Sequence, residues 1–387
     1  MKRLAIVTTH PIQYNAPLYA LLAGRGKVQI KVFYTWGESV LKKKYDPGFG
    51  KNIEWDIPLL NGYDYSFVKN IAVNPGSHHF RGIDNPFLIN EIEQWKANAV
   101  LVYGWNFKSH LQLLRYFHNK IPVFFRGDST LLNEPALLKK ILRSIFLKWV
   151  YRKVNFALFV GSHNKNYYEA FGLKQAQLIF APHAIDNDRF MNPDKILNEQ
   201  ASLKRKELGI DPDAVIFLFA GKLDSNKNVQ LLLRAFIDLN NTETHLLIAG
   251  NGVAEPALRT MASGKKNIHF LPFQNQAYMP ILYRIGNITV LPSITETWGL
   301  SINEAMACGR PVLISSTCGA AIDLVRDGEN GYVFNSNDPS SLLEKMQKML
   351  DQKDDLDNWG RNSQQIITEW SHTATCEIME LTIKKNA

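Results

Sequence analysis

Cysteine is scarce in this chain of 387 residues, with three in all: Cys308, Cys318 and Cys376. Their odd number, without metal-ligand spacing, argues against a disulfide framework and a zinc site and fits a reducing, cytoplasmic setting. No stretch offers the ~20 uninterrupted apolar residues that a membrane-spanning helix needs. The opening run, Met1-Lys2-Arg3-Leu4-Ala5-Ile6-Val7-Thr8-Thr9-His10, has a basic tip and a short apolar core, but polar residues and Pro11 follow instead of a small-residue cleavage site. It reads as a first strand, not a signal peptide. Internal repeats and low-complexity tracts are missing, as is any RNP-like or helix-turn-helix pattern, which speaks against a nucleic-acid partner.

What is present is a globular composition, 45% hydrophobic and 21% charged, at a length suited to two domains. The net charge of +8 is unevenly spread: residues 1–185 carry +13 and residues 186–387 carry −5. A basic front half suits an anionic partner such as a phosphorylated acceptor or a membrane surface, and it serves solubility equally well. Short Val/Ile/Phe/Leu runs alternate with helix-like stretches, as buried parallel strands alternate with crossover helices. In the front half they are residues 4–9, 28–34, 99–104, 123–127, 156–161 and 178–182; in the back half 215–221, 245–250, 268–273, 288–293, 311–316 and 331–334. The expected fold class is α/β, two Rossmann-like domains. The expected boundaries are a front domain 1–185, a polar crossover 186–213, a rear domain 214–365, and a C-terminal helix 366–387 packing back on the front domain.

The most informative stretch runs from Leu291 to Val312: a strand, a loop with Glu296, a glycine turn at Gly299, then a helix carrying Glu304. With seven residues between them, the two glutamates cannot share a helical face, an arrangement suited to holding two ends of one ligand. The helix start at Gly299, Leu300 and Ser301 offers backbone amides and a positive dipole end to a diphosphate. Glu296 could then accept from sugar hydroxyls and Glu304 from a ribose.

Glu296-Thr297-Trp298-Gly299-Leu300-Ser301-Ile302-Asn303-Glu304 resembles the E-x-F-G-x-x-x-x-E signature of family-four retaining glycosyltransferases, with Trp298 in place of Phe. Ser315–Val325 is similar to that family's Gly-Gly-x-x-Glu segment, with Cys318 and Asp323 as departures, and Gly328–Val333 to its D-G-x-N-G-x-L. Gly221-Lys222-Leu223-Asp224-Ser225-Asn226-Lys227-Asn228 resembles the family's G-R-L-x-x-x-K-G loop, so the resemblance gives Lys222 and Lys227 the donor diphosphate. Ala249-Gly250-Asn251-Gly252 is similar to its G-x-G turn near the nucleotide. Pro182-His183-Ala184-Ile185-Asp186 looks like the P-N-G-x-D crossover, and His10-Pro11-Ile12-Gln13-Tyr14 like a variant found in bacterial polysaccharide transferases. The resemblance implies the GT-B fold, its two domains facing each other across a cleft. It also implies a retaining transfer from a nucleoside-diphosphate sugar to a saccharide or lipid-linked acceptor, in cell-surface polysaccharide or glycolipid synthesis.

Where many members of the family carry a catalytic His, this chain has Phe125-Arg126-Gly127-Asp128. Arg126 and His10 are therefore candidates for part of that role, and His10 serves equally well as a strand-end structural residue. Gln13, Tyr14 and Asp128 are candidate acceptor contacts. Asp186-Asn187-Asp188 forms a D-x-D, but on the crossover and not after a strand, so no metal and no cofactor is expected. Residues 136–153 pair Leu138, Ile141, Leu142, Ile145, Trp149 and Val150 with basic residues at helical spacing, as does a helix lying on anionic lipid at the inner face of a membrane and as does an ordinary domain helix. Lys42–Lys44, Tyr45–Gly50 and Trp55-Asp56 read as a charged loop and an aromatic acceptor platform. Two other classes fit: a sugar-nucleotide epimerase of the same shape, which would convert donor without acceptor, and a non-catalytic nucleotide-sugar binder.

Overall fold

The computed structural model describes residues 1–38, 44–46, 51–132 and 137–387. They fall into two compact units: a front unit of Met1–Lys44, Pro58–His183 and His372–Ala387, and a rear unit of Tyr45–Ile57 and Ala184–Ser371.

The front unit contains β1 (Arg3–Thr8), α1 (Ala16–Gly24) and β2 (Gln29–Tyr34). Next in the chain is a short ribbon, β3 (Lys44–Asp46) and β4 (Lys51–Ile53), which from Tyr45 onward is part of the rear unit. Then come β5 (Asp64–Phe67), α2 (Leu88–Gln94), β6 (Ala99–Tyr103), α3 (Lys108–Phe117), β7 (Val123–Arg126), α4 (Leu137–Tyr151), β8 (Phe156–Phe159), α5 (Ser162–Ala170) and β9 (Leu178–Phe180). Seven strands pair in the order β5-β2-β1-β6-β7-β8-β9, all in parallel. Central strands such as β1, with Leu4 to Val7 wholly buried, read as unbroken apolar runs because helices cover both faces. The order turns between β1 and β6, which makes the loops after those strands the switch point of this sheet.

The rear unit contains α6 (Asn187–Met191), α7 (Lys195–Glu207), β10 (Val215–Ala220), α8 (Val229–Leu239), β11 (Thr244–Ala249), α9 (Glu255–Met261), β12 (Ile268–Leu271), α10 (Met279–Ile285) and β13 (Ile288–Leu291). It continues with α11 (Leu300–Ala307), β14 (Val312–Ser315), α12 (Ala321–Leu324), β15 (Gly331–Phe334), α13 (Pro339–Asp351) and α14 (Leu356–Thr368). Its six strands are also parallel, in the order β12-β11-β10-β13-β14-β15, with the switch between β10 and β13. The last helix, α15 (His372–Asn386), belongs to the front unit, where Cys376, Met379 and Ile383 enter the same core as Leu18 and Leu22 of α1.

Every expected strand is present, but the sequence reading missed β5, whose residues are half to fully exposed and lack an apolar run. The boundaries also differ. Residues 186–213 are not a free crossover: α6 and α7 lie there, and Asn187 and Phe190 are buried in the rear unit. Residues 45–57 belong to the rear unit as well, where Asn275 Nδ2 donates to Glu54 O (2.7 Å) and Ala277 N to Asp56 Oδ1 (3.0 Å). Trp55 meets Phe273 there, so the Trp55-Asp56 pair is engaged within the rear unit and is not a front-domain platform. Lys42, Lys43 and Pro47–Gly50 lie outside the described residues.

Candidate functional site

Three loops converge at the carboxyl edge of the rear sheet. After β10 comes the loop 221–228, after β13 the loop 292–299, and after β14 the loop 316–320; the first two flank the switch point. They are stitched together through backbone and amide bonds. Ile294 N donates to Asn226 O (2.8 Å), Asn226 Nδ2 to Thr295 O (2.8 Å), Gly319 N to Glu296 O (3.0 Å) and Ala320 N to Trp298 O (3.0 Å). Gly319 is obligatory in this weave, since a Cβ there would stand 2.0 Å from Thr297 O.

Within the weave two of the residues expected at the donor meet directly. Lys227 Nζ donates to Glu296 Oε2, with about a fifth of each side chain exposed (22% and 21%). Ser293 Oγ approaches the same oxygen at 3.4 Å, and Asp224 Oδ1 accepts from Lys227 N (2.9 Å), so both ends of Lys227 are fixed. Lys222 is half-buried on the same loop. Gly299 caps α11 in the left-handed region (φ 104°), where a side chain would strike Leu291, and Leu300 and Ser301 begin the helix half-buried. A cation pair, a carboxylate and a helix start are thus gathered at one sheet edge, a set able to bind a polar, multiply charged ligand.

The remaining donor candidates have structural work of their own. Glu304 is 2% exposed and accepts from Tyr283 Oη (2.7 Å), so a ribose contact requires its carboxylate to be uncovered. Gly221 and Gly250 let two loops touch: a Cβ on Gly250 would lie 1.8 Å from Gly221 O. Asn251 uses its amide to donate to Glu255 (2.9 Å) and to accept from Phe273 N (2.8 Å), which fixes the neighbouring loop. Trp298, the departure from Phe, is accommodated: its Nε1 donates to Asn303 Oδ1 (2.8 Å) and its ring packs on Trp370 at 4.9 Å. Cys318 is wholly buried and burial pushes its thiol well up, so it is a packing residue and not a nucleophile.

In the front unit, His10 lies at the switch point. Its Nδ1 is 2.8 Å from Thr9 Oγ1 and its ring stands edge-on to Trp36 at 5.2 Å; Gln13 and Tyr14 follow half-buried in the turn before α1. Arg126 corrects an expectation. It is 6% exposed and its guanidinium donates to Ala181 O (2.9 Å) and Pro182 O (3.0 Å), so it ties the end of β9 to β7 instead of facing a ligand. Asp128 is half-buried beside it.

Next to Arg126 in its electrostatics stands His183, which sequence reasoning did not single out. Burial, then the Arg126 charge, push its imidazole down to about 4, with Asp128 opposing and His372 adding to the fall. Its signal was available, since it stands where the resembling crossover has Asn. His110 was missed too: wholly buried and pushed down to about 4 by burial, it sits 2.9 Å from Thr35 Oγ1 and 3.0 Å from Tyr103 O. The carbonyl at Nδ1 requires a proton there, so Nε2 accepts from Thr35. Asp186 caps α6 by accepting from Arg189 N (3.3 Å), and Asn187 donates to Ile367 O (2.9 Å), so the D-x-D is used as a helix start. Among the described residues no group of three or more His, Cys, Asp or Glu side chains could hold a metal ion, and no helix is long and apolar enough to cross a membrane.

Comparison with known proteins adds three findings. Residues 200–366 match the family described as "Glycosyl transferases group 1". The chain is 30% identical to D-inositol 3-phosphate glycosyltransferase 2 of Catenulispora acidiphila over 205 residues, 49% of this chain and 46% of that one. It is 29% identical to an uncharacterized glycosyltransferase of Methanocaldococcus jannaschii over 150 residues, 38% of each chain. The matched regions thus span less than half the length of these curated relatives. Among solved structures, sucrose-phosphate synthase from Thermosynechococcus elongatus superposes with a TM-score of 0.73 at 17% identity, covering 100% of this chain and 99% of that one. Anabaena HepE in complex with UDP and glucose gives 0.71 at 15% identity, covering 100% of both.

Proposed function

Because residues 200–366 match the glycosyl transferases group 1 family and the chain has the GT-B fold, we propose that it transfers a sugar from a nucleoside diphosphate to an acceptor hydroxyl with retention of configuration. The observation that carries the proposal is the meeting of Lys227 with Glu296 at the switch point of the rear sheet, beside Lys222 and the start of α11. Open α/β sheets take their ligands at that place.

In the proposed reaction the bond between the anomeric carbon and the diphosphate oxygen breaks while the acceptor oxygen bonds to the same face. The acceptor proton passes to the departing phosphate oxygen. Lys222, Lys227 and the first amides of α11 meet the negative charge that grows on the diphosphate, an interaction stronger in the transition state than in the ground state. Entry of the diphosphate draws Lys227 from Glu296, which turns its carboxylate to the sugar hydroxyls. Glu304 receives the ribose once its carboxylate is uncovered, with Tyr283 holding its orientation. No metal is assigned a part. His10, Gln13, Tyr14 and Asp128 of the front unit are the proposed acceptor-side groups.

A lipid-linked acceptor has support from α4. Its inner face, Leu147, Val150 and Tyr151, is buried, whereas Ile141 (51%), Leu142 (71%), Ile145 (65%) and Trp149 (37%) are exposed, with exposed Lys148 and Arg152 beside them. An outward aliphatic face rimmed by cations suits an anionic lipid surface, and we assign that contact to α4.

A thermal-shift screen of nucleotide sugars, with and without chelator, tests the donor site. A ligand at 100 times its Kd should stabilise by about 2.7 kcal/mol, several degrees, and the shift should shrink in Lys227→Ala and Glu296→Ala. Product analysis then reads the anomeric configuration. An inverted product would refute retention, and donor conversion without acceptor would favour the epimerase.

A further inference from the structure

The opposite, amino-terminal edge of the rear sheet holds a different chemistry. α7, the turn leading to β10, and the residues that enter β13 and β14 enclose a cavity of about 800 Å³, lined by Arg205, Lys206, Arg284 and Arg310 together with Asn198 and Asn287. Four cations face one lining carboxylate, Asp211, which already accepts from Asp213 N (2.9 Å).

The arginines are not alike. Arg284 donates to Pro280 O (2.9 Å), Phe190 O (2.9 Å) and Asn192 O (2.7 Å), and Arg205 to Ile285 O (2.8 Å) and Asn287 Oδ1 (2.7 Å), so both hold the cavity walls. Arg310 has no such duty: its Nε is shut off from solvent without a hydrogen-bond partner among the described residues. Burial lowers its guanidinium from the usual arginine value, and Arg284 adds to the fall against the opposing pull of Cys308 and Asp357. Burial and the Arg310 charge bring Arg205 down to about 10. A buried donor left unmet is uncommon in folded proteins, and such a group calls for a reason. Crowded guanidiniums walled by amides provide the forked donors that oxyanions accept from, in a volume typical of small-ligand sites.

We propose that this cavity is a second anion site, separate from the donor loops, which takes a small ligand bearing two or more phosphate charges. Arg310 is its central donor, with Lys206 and Asn198 at its mouth.

Calorimetric titration of inorganic pyrophosphate and of a hexose monophosphate into the full chain tests this, at matched ionic strength. Lys222→Ala/Lys227→Ala provides a background in which the donor edge is disabled. One saturable equivalent should persist there, weakened at least 10-fold by Arg310→Gln and about 3-fold by Lys206→Ala/Asn198→Ala, whose exposed positions leave the fold intact. Tighter pyrophosphate assigns a free oligophosphate, and tighter hexose phosphate a phosphorylated metabolite; either supports the site. No saturable binding in that background would overturn the proposal, as would binding that neither set of variants moves. If Arg310→Gln does not fold, the Lys206/Asn198 variant decides.

Discussion

Replacing Glu296 by Gln should move two affinities apart. Because the two side chains pair, Glu296 competes with any phosphate for Lys227. Unit charges about 4 Å apart attract by about 4 kcal/mol at an effective dielectric of ~20. With about a fifth of each side chain exposed (22% and 21%), screening brings the usable part to about 1 kcal/mol. Release of Lys227 should therefore tighten a bare nucleoside diphosphate about 5-fold. The intact sugar nucleotide loses in addition its charge-assisted bond from sugar hydroxyl to carboxylate, about 1.5–3 kcal/mol. The ratio of sugar-nucleotide to diphosphate affinity should thus fall about 10-fold or more. Isothermal titration of both ligands into wild type and variant measures that ratio, with the melting temperature as a check on folding. If the two affinities shift together, or if Lys227→Ala leaves diphosphate binding unchanged, the assignment of the pair to the donor is wrong.

The other expected outcomes concern the scaffold and the membrane face. Gly319→Ala places a methyl 2.0 Å from Thr297 O, and should cost several kcal/mol in urea denaturation as the loop weave opens. His110 is held neutral, so the unfolded chain binds its proton more readily between the usual value near 6.5 and about 4: stability is complete above the higher value and is lost as pH falls through the window. That loss approaches about 3 kcal/mol, and His110→Asn should flatten the slope of unfolding free energy between pH 7 and pH 5 by the corresponding share. Arg126→Met should lower stability by about 3 kcal/mol, whereas activity per folded molecule holds within a few-fold; a drop of a thousandfold in kcat with intact folding would restore a catalytic role. Leu142→Ser/Ile145→Ser should abolish sedimentation with phosphatidylglycerol vesicles at unchanged melting temperature.

Most of the rear unit was legible because its information is local. Strands buried on both faces announce themselves as apolar runs, and Gly299, Lys227 and Glu296 sit at fixed spacings from strand ends. Side-chain commitments were not legible. Nothing in Phe125-Arg126-Gly127 says that the guanidinium is consumed by carbonyls some 55 residues later. Glu304 likewise gives no sign in sequence of Tyr283, which α10 brings to it from another part of the chain. Edge strand β5 was missed because a half-exposed strand needs no apolar run. The return of residues 45–57 to the rear unit depends on Asn275 and Ala277, more than two hundred positions away.

The last helix has a bearing on biogenesis. Because α15 supplies Cys376, Met379 and Ile383 to the core beneath α1, and Glu380 to Arg25 at 2.6 Å, the first-made half of the polypeptide stays incomplete while translation proceeds. The rear unit, by contrast, has all of its residues once Ser371 is made, before α15. Vectorial synthesis is thereby reversed: the part that emerges first is the last to be finished.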